Sequence, residues 1–352
     1  MEKKRKLEES EDSAVIKRSK RENVEILDLS DDVLLYILSY LPTSDLLNLA
    51  ETCQRLGCIA EDESLWKKIQ MVGKQIPVAR LRKVLKYLTA KTVSIKIGGA
   101  PGDRQSITPA ILQSFGEKCP NLDELVLEGC DIDAESIQLT HIPKTAKRLG
   151  LRSCNVVNID PKKSYLYDLE NLLPELEELD LTNAGWLSNH SLLAVCKSQS
   201  LKAINFKGCS RLGECIVYSS LATRFGFRNV THIDLRDTHV GDSEVPCFGR
   251  LPKLTHLYFG QSTEQSLPDG FESNGKITDR GVISLCLSEM ENERKGVLKV
   301  LTLMKSEITD KSLGKLAMAF ALEKLDLSGC THVTKDGIQT FITRRPACQV
   351  IC

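Results

Sequence analysis

A short apolar phrase recurs eight times between residues 122 and 330. Its form is Leu-x-x-Leu-x-Leu-x-x-Cys, with substitutions. It reads Leu122, Leu125, Leu127, Cys130, and then Ala146, Leu149, Leu151, Cys154. It continues as Leu176, Leu179, Leu181, Ala184 and as Leu201, Ile204, Phe206, Cys209. Next come Val230, Ile233, Leu235, Thr238 and Leu254, Leu257, Phe259, Ser262. Leu298, Leu301, Leu303, Ser306 and Leu322, Leu325, Leu327, Cys330 complete the set. Successive starts lie 24, 30, 25, 29, 24, 44 and 24 residues apart. A repeat of this length is one supersecondary unit, too small to bury its own apolar face, so neighbours must stack. The Leu-x-Leu alternation turns one side of a short strand inward. The pattern predicts an α/β solenoid, with parallel strands lining a concave face and helices or turns on the convex face. A degenerate first copy reads Ala90, Val93, Ile95.

The residue after each strand is small: Cys130, Cys154, Cys209 and Cys330, or Ala, Thr and Ser. It must sit under a turn and bond backbone groups left unpaired there. The return segments carry Ile277-Thr278-Asp279, Ile308-Thr309-Asp310 and Val333-Thr334, where Thr or Asp suits a helix N-cap. The chain has 13 cysteines but no Cys-x-x-Cys pair, so zinc spacing is absent and no metal or cofactor is expected. The first residues are charged, leaving no signal-peptide apolar region. The expectation is a chain kept inside the cell, with its cysteines as thiols. The last residues, Cys348-Gln-Val-Ile-Cys352, miss a prenylation box by one position. Lys+Arg and Asp+Glu are equal at 47 each, which argues against a protein that coats nucleic acid.

Before the repeats lies a leucine-rich helical stretch. Leu29, Val33, Leu34, Ile37, Leu38 and Leu41 form a helix stripe, with Ser30 as cap, Asp31 and Asp32 in the first turn, and Pro42 as terminator. A second helix runs from Thr43 or Ser44 to Cys53 and a third around Leu56 to Ala60, with Leu65-Trp66 as anchor. Three short helices in so few residues are near the lower limit for independent folding, so the surplus apolar surface needs a partner. The phrase from Leu29 to Pro42, with Asp45-Leu46, Cys53-Gln-Arg55 and Leu65-Trp66, resembles an F-box. It departs in having Leu29-Ser30 for the usual Leu-Pro, and Leu56 near the place of a frequent Trp. The repeats resemble the cysteine-containing type of leucine-rich repeat. The chain thus resembles the F-box/leucine-rich-repeat family, and divides into a disordered basic tail (1–24), an F-box (25–70), a helical linker or cap (71–89) and a leucine-rich-repeat domain (90–352).

That resemblance implies a substrate-recognition subunit of an SCF ubiquitin ligase. The F-box would bind Skp1, and through it a cullin and a RING subunit. The repeats would bind protein targets and promote their ubiquitination and proteasomal degradation. Leu29, Val33, Leu34, Ile37, Leu41, Pro42, Leu46, Leu65 and Trp66 are the expected Skp1-binding residues. The alternative is a nuclear repeat scaffold with no ligase link, its helices only capping the array.

The strand residues between the inward leucines form three columns on the expected concave face. Among them, Arg148, Arg152, Asp180, Lys207, Asp234, Arg236 and Tyr258 are the candidate target-binding side chains. Arg152, Lys207 and Arg236 share a column, either as a basic strip for an acidic motif or as partners of the neighbouring acids. The interval of 44 between Leu254 and Leu298 marks an insertion, with Gln261 to Lys276 reading as a loop. His232 and His256 occupy equivalent places in adjacent repeats, as a metal pair or as two solvated side chains. No catalytic constellation is visible, and the chain reads as a non-catalytic receptor that acts by proximity.

The tail carries Lys3, Lys4, Arg5 and Lys6, then ten residues, then Lys17, Arg18, Lys20 and Arg21. Two such clusters are similar to a bipartite nuclear localisation signal read by an importin-type receptor. A solvated tail and a DNA-binding arm are the other readings. Nuclear residence, shared with the cytoplasm, is expected. Replacing Lys17, Arg18, Lys20 and Arg21 by Ala should shift the protein toward the cytoplasm, measured as the nuclear fraction in cells. An unchanged fraction would leave the tail only a solubilising role.

Overall fold

The chain is described by a computed structural model covering residues 25–99, 103–160, 163–213, 216–262, 276–291 and 297–352. The basic tail and residues 263–275 of the expected loop lie outside the described residues. Three short helices open the fold: α1 (Asp31–Leu38), α2 (Thr43–Ala50) and α3 (Gln54–Ala60). Ser30 is extended at the N-cap position of α1, and Asp31 and Asp32 meet the positive end of its dipole. Pro42 separates α1 from α2 and stands at the N-cap of the latter. The apolar stripe closes on itself through Leu34, Leu38, Leu46, Leu47, Leu56 and Ala60, all buried.

A turn of 3-10 helix, Glu63–Trp66, leads directly into a long sheet. Its strands are β1 (Lys68–Met71), β2 (Ser94–Gly98), β3 (Glu124–Glu128), β4 (Arg148–Arg152), β5 (Glu178–Asp180), β6 (Ala203–Asn205), β7 (His232–Asp234), β8 (His256–Gly260), β9 (Val300–Met304), β10 (Lys324–Asp326) and β11 (Gln349–Ile351). All eleven are parallel and lie in chain order. One ladder of inward residues runs through the stack: Ile69, Ile95, Leu125, Leu149, Leu179, Ile204, Ile233, Leu257, Leu301, Leu325 and Val350. From Ile69 to Leu325 none is more than 2% exposed. Among the return segments are α4 (Val78–Lys86), α5 (Pro109–Lys118), α6 (Leu169–Leu172), α7 (Asn189–Val195), α8 (Ile216–Phe225), α9 (Val245–Phe248), α10 (Asp279–Glu291), α11 (Asp310–Ala319) and α12 (Lys335–Arg344). A second ribbon of Gln105–Ser106, Cys130–Asp133 and Asn155–Val157 follows the early turns.

The array is longer than the leucine pattern indicates at both ends. Pairing of Ile95 with Leu125 and Ile97 with Leu127 sets the first phrase at Thr92, Ile95, Ile97 rather than Ala90, Val93, Ile95. Thr92 stands where a leucine is expected. It is fully buried because its hydroxyl donates to the Trp66 carbonyl at 3.0 Å. The sheet then extends one strand further back, to β1, so it begins at Lys68 rather than near residue 90. At the other end, the Gln-Val-Ile of the near-prenylation phrase is strand β11.

Two polar ladders tie repeat to repeat. The thiols of Cys154, Cys209 and Cys330 donate to the carbonyls of Leu127, Leu181 and Leu303, at 3.3, 3.0 and 2.9 Å, in the preceding repeat. Burial pushes the Cys209 thiol up to about 12, which keeps it protonated and able to donate. On the helix side, one carboxylate per repeat holds the next Thr. Asp242 accepts from the Thr278 amide and hydroxyl at 2.7 and 2.6 Å. Asp279 does the same for Thr309 at 2.8 and 2.6 Å, and Asp310 for Thr334 at 2.9 and 2.6 Å. Gly281 and Gly337 leave room for these acids. A Cβ would come within 2.4 Å of Asp242 Oδ1 and 2.1 Å of Asp310 Oδ1 respectively.

Asp279 shows what one rung contributes. Burial acts to raise its pKa, but hydrogen bonds from Ser312 and Thr309 outweigh it and hold the carboxyl below its ordinary value. A depressed folded pKa adds stability above the unfolded pKa and loses it as pH falls through the folded one. Asp279→Asn should therefore destabilise the array by about 1–3 kcal/mol at neutral pH. The gap from wild type should close in denaturant melts run below about pH 4. A gap independent of pH would assign the loss to packing.

Candidate functional site

The helical unit and the first strands share one core. Trp66, 1% exposed, donates through Nε1 to the Ala60 carbonyl at 2.7 Å and stacks on Tyr87 with ring centroids 4.1 Å apart. The Thr43 hydroxyl accepts from the Gln70 amide of β1 at 3.0 Å. Arg80 of α4 reaches back to Ser44 O and Asn48 Oδ1 at 2.7 and 2.8 Å, and Lys83 pairs with Glu51. The three helices therefore seal the N-terminal edge of the sheet.

Sealing that edge does not consume all of their apolar surface. Ile26, Leu27, Val33, Tyr36 and Tyr40 remain 51, 42, 44, 64 and 70% exposed. All belong to α1 or its flanks. Tyr36 and Tyr40 meet edge to face at 5.1 Å, and the Tyr40 hydroxyl donates to Tyr36 at 2.6 Å. Arg55 of α3 fixes the approach to this patch. Its Nε and Nη2 donate to Asp31 Oδ1 at 3.0 and 2.6 Å, Nη2 also to Leu29 O at 2.7 Å, and Nη1 to Leu27 O. The segment ahead of α1 is thus held against the unit with Ile26 and Leu27 outward.

The residues expected to touch a partner divide on burial. Val33 and Pro42 are exposed; Leu29, Ile37, Leu41 and Leu65 are half-buried. Leu34, Leu46 and Trp66, by contrast, are at most 2% exposed. They build the unit rather than contact anything outside it. In a helix stripe this broad, periodicity marks which residues are apolar but not which neighbour covers them. Ile26, Leu27, Tyr36, Tyr40 and the clamp of Arg55 were missed. Tyr36 and Tyr40 are four apart and so share a helix face with each other, which was the available signal.

On the open face of the sheet, the candidate target-binding residues do line up strand beside strand, but mostly in pairs. Arg152 bonds Asp180 at 2.7 Å across β4 and β5. Arg236 bonds Asp234 at 2.5 Å and lies 5.5 Å over the Tyr258 ring. Arg148 bonds Asp123 at 2.6 Å. Lys207 alone of the expected column has no ion pair among the described residues, so Arg152, Lys207 and Arg236 form no continuous basic strip. Val126, Gly150, Thr302 and Met304 of the same columns are buried. Val126 fills the space over Gly150, where an added Cβ would meet it at 3.0 Å. His232 and His256 stack across β7 and β8, with centroids 3.9 Å apart and planes 15° from parallel. Among the described residues no three His, Cys, Asp or Glu side chains come together as a metal site.

Residues 26–71, the helices and β1, match the family model described as F-box-like. The chain is 27% identical over 200 residues to mouse F-box/LRR-repeat protein 12 and 26% identical over 195 residues to the human protein. The chain is similar to members of the F-box/leucine-rich-repeat family. The matches take in 56 and 54% of this chain and 60 and 58% of those relatives, less than two thirds of their length. In fold, a crystal structure of a Rad7 and Elc1 complex in yeast superposes with a TM-score of 0.51, at 16% identity, over 91% of this chain and 85% of that one. The F-box-like match thus falls on the helical unit that carries the exposed α1 patch.

The division between core and patch has a direct check. Leu34→Ala should cost about 2–5 kcal/mol, seen as faster amide exchange throughout α1–α3. Val33→Ala should stay within about 0.5 kcal/mol of wild type. Equal effects would mean that α1 is turned differently on its axis.

Proposed function

We propose that this chain is the substrate-recognition subunit of an SCF ubiquitin ligase. The F-box binds Skp1, the repeats hold a protein target, and recruited cullin and RING subunits bring the charged ubiquitin donor. The supporting observation is the apolar surface left over on α1 and its flanks. A helical unit needed only as a cap has no physical reason to leave Ile26, Leu27, Val33, Tyr36 and Tyr40 in water. The two Tyr rings, beside aliphatic residues, have the composition of an interface centre. The chain itself would do no chemistry. It would raise the effective concentration of a target near the donor. Residence in the nucleus, through the two basic clusters of the tail, belongs to the same proposal.

The second reading, a repeat scaffold with no ligase link, draws on the shared core. Trp66, Thr92, Arg80 and Lys83 show that the helices do cap the array. Capture separates the two. Val33→Asp with Tyr36→Asp should abolish capture of Skp1 and cullin while leaving the melting temperature close to that of wild type, because both side chains already face water. Wild-type protein that captures no Skp1, or a double variant that captures it undiminished, would rule against the ligase assignment.

A further inference from the structure

On the open face, a small residue interrupts one row of side chains. Reading across the strands, the row runs Glu178, Ala203, His232, His256. The two imidazoles stack, so the planes of their rings stand across the strand-to-strand direction. The free face of His232 therefore looks over Ala203 toward Glu178. Ala203, half-buried and with a single methyl, leaves a gap one strand wide. Glu178 on its far side is exposed and has no ion pair among the described residues. Its neighbours are committed elsewhere: Arg148 to Asp123, Lys202 to Glu177, Arg152 to Asp180 and Arg236 to Asp234.

The protonation of the rings follows from their partners. The Thr231 and Thr255 hydroxyls each lie 2.8 Å from the Nδ1 of the following His. Each hydroxyl also lies 3.0 Å from a carbonyl oxygen, Lys202 O or Thr231 O, to which it donates. A hydroxyl has one proton, so Nδ1 must carry its own and donate to the Thr oxygen. Burial lowers the pKa of both imidazoles; Glu178 opposes this at His232, and His232 reinforces it at His256. The gap is thus bounded by a flat neutral π face on one side and an unpaired carboxylate on the other.

We propose that this gap receives an arginine side chain of the target protein. The inference rests on the reading of the open face as the target-holding surface, and supplies the chemistry of one contact. A guanidinium is the side-chain group that is both planar and permanently charged. It can continue the imidazole stack over Ala203 and donate from its edge to the Glu178 carboxylate. A Lys ammonium meets the carboxylate but not the flat face; a neutral aromatic ring meets the face but not the carboxylate.

The test is an NMR titration of the full chain, labelled at Ala methyls and His rings, with N-acetyl-arginine methylamide. Saturable shifts should appear at the Ala203 methyl and the His232 ring. Glu178→Gln, at an exposed position, should weaken binding about tenfold, and the lysine analogue should bind about as weakly to wild type. Ala203→Phe should abolish the shifts by filling the gap. Equal shifts with the lysine or glycine analogues, or undiminished binding to Glu178→Gln, would overturn the proposal. Skp1 capture by the same variants should be unchanged. A wild-type chain that binds arginine but captures no Skp1 would leave the gap standing and remove the ligase reading.

Discussion

A parallel strand presents a row of unpaired backbone donors and acceptors until the next strand covers it, and an open array of such strands has two edges that no further strand covers. This constraint organises the molecule. At the N-terminal end, β1 emerges from the helical unit itself, so the module that carries the exposed patch also supplies the first strand of the sheet. Trp66 stands at the junction. Its ring lies on Tyr87, its indole nitrogen closes α3, and its carbonyl accepts from Thr92. At the other end of the described sheet, β11 is only three residues long. A short edge is a poor template for further pairing.

Between the ends, stability passes from neighbour to neighbour. Apolar burial along the inward ladder fixes which face each residue takes, but is otherwise non-directional. The thiol and carboxylate ladders are directional, because each needs a particular carbonyl, amide or hydroxyl of the adjoining repeat. The thiols of Cys154, Cys209 and Cys330 work here as small buried donors. The glycines at Gly281 and Gly337 are required because the neighbour's carboxylate occupies the space of a side chain.

Much of this was legible in the sequence, because a Leu-x-Leu pattern at a steady period leaves few folds to choose from. The strand registers from Leu125 to Leu325 follow from it directly. Where polar residues took over inward places the pattern went silent. Thr92 hid the first phrase and shifted its register by two residues, and β1 was hidden inside the F-box phrase. The three-residue β11 was too short to register as a repeat. At the sites, the sequence identified which residues are apolar or charged but not their partners. Leu34, Leu46 and Trp66 read as contact residues and proved to be core; for Arg152 and Arg236 the sequence left a strip or pairing with the neighbouring acids open, and the structure pairs them with Asp180 and Asp234. Tyr36 and Tyr40 were passed over because tyrosine scores as neither leucine-like core nor charge.

The strand shared between F-box and repeats has a mechanical consequence. No flexible tether separates the exposed α1 patch from the open face of the sheet; one continuous hydrophobic core joins them. The two surfaces belong to a single stiff body, so whatever is held by one stands at a set distance and angle from whatever is held by the other. In the proposed ligase role, such a body would work as a ruler. The lysines modified would be chosen by where they fall on the surface of the docked target, and a target seated a few ångströms differently would present a different set.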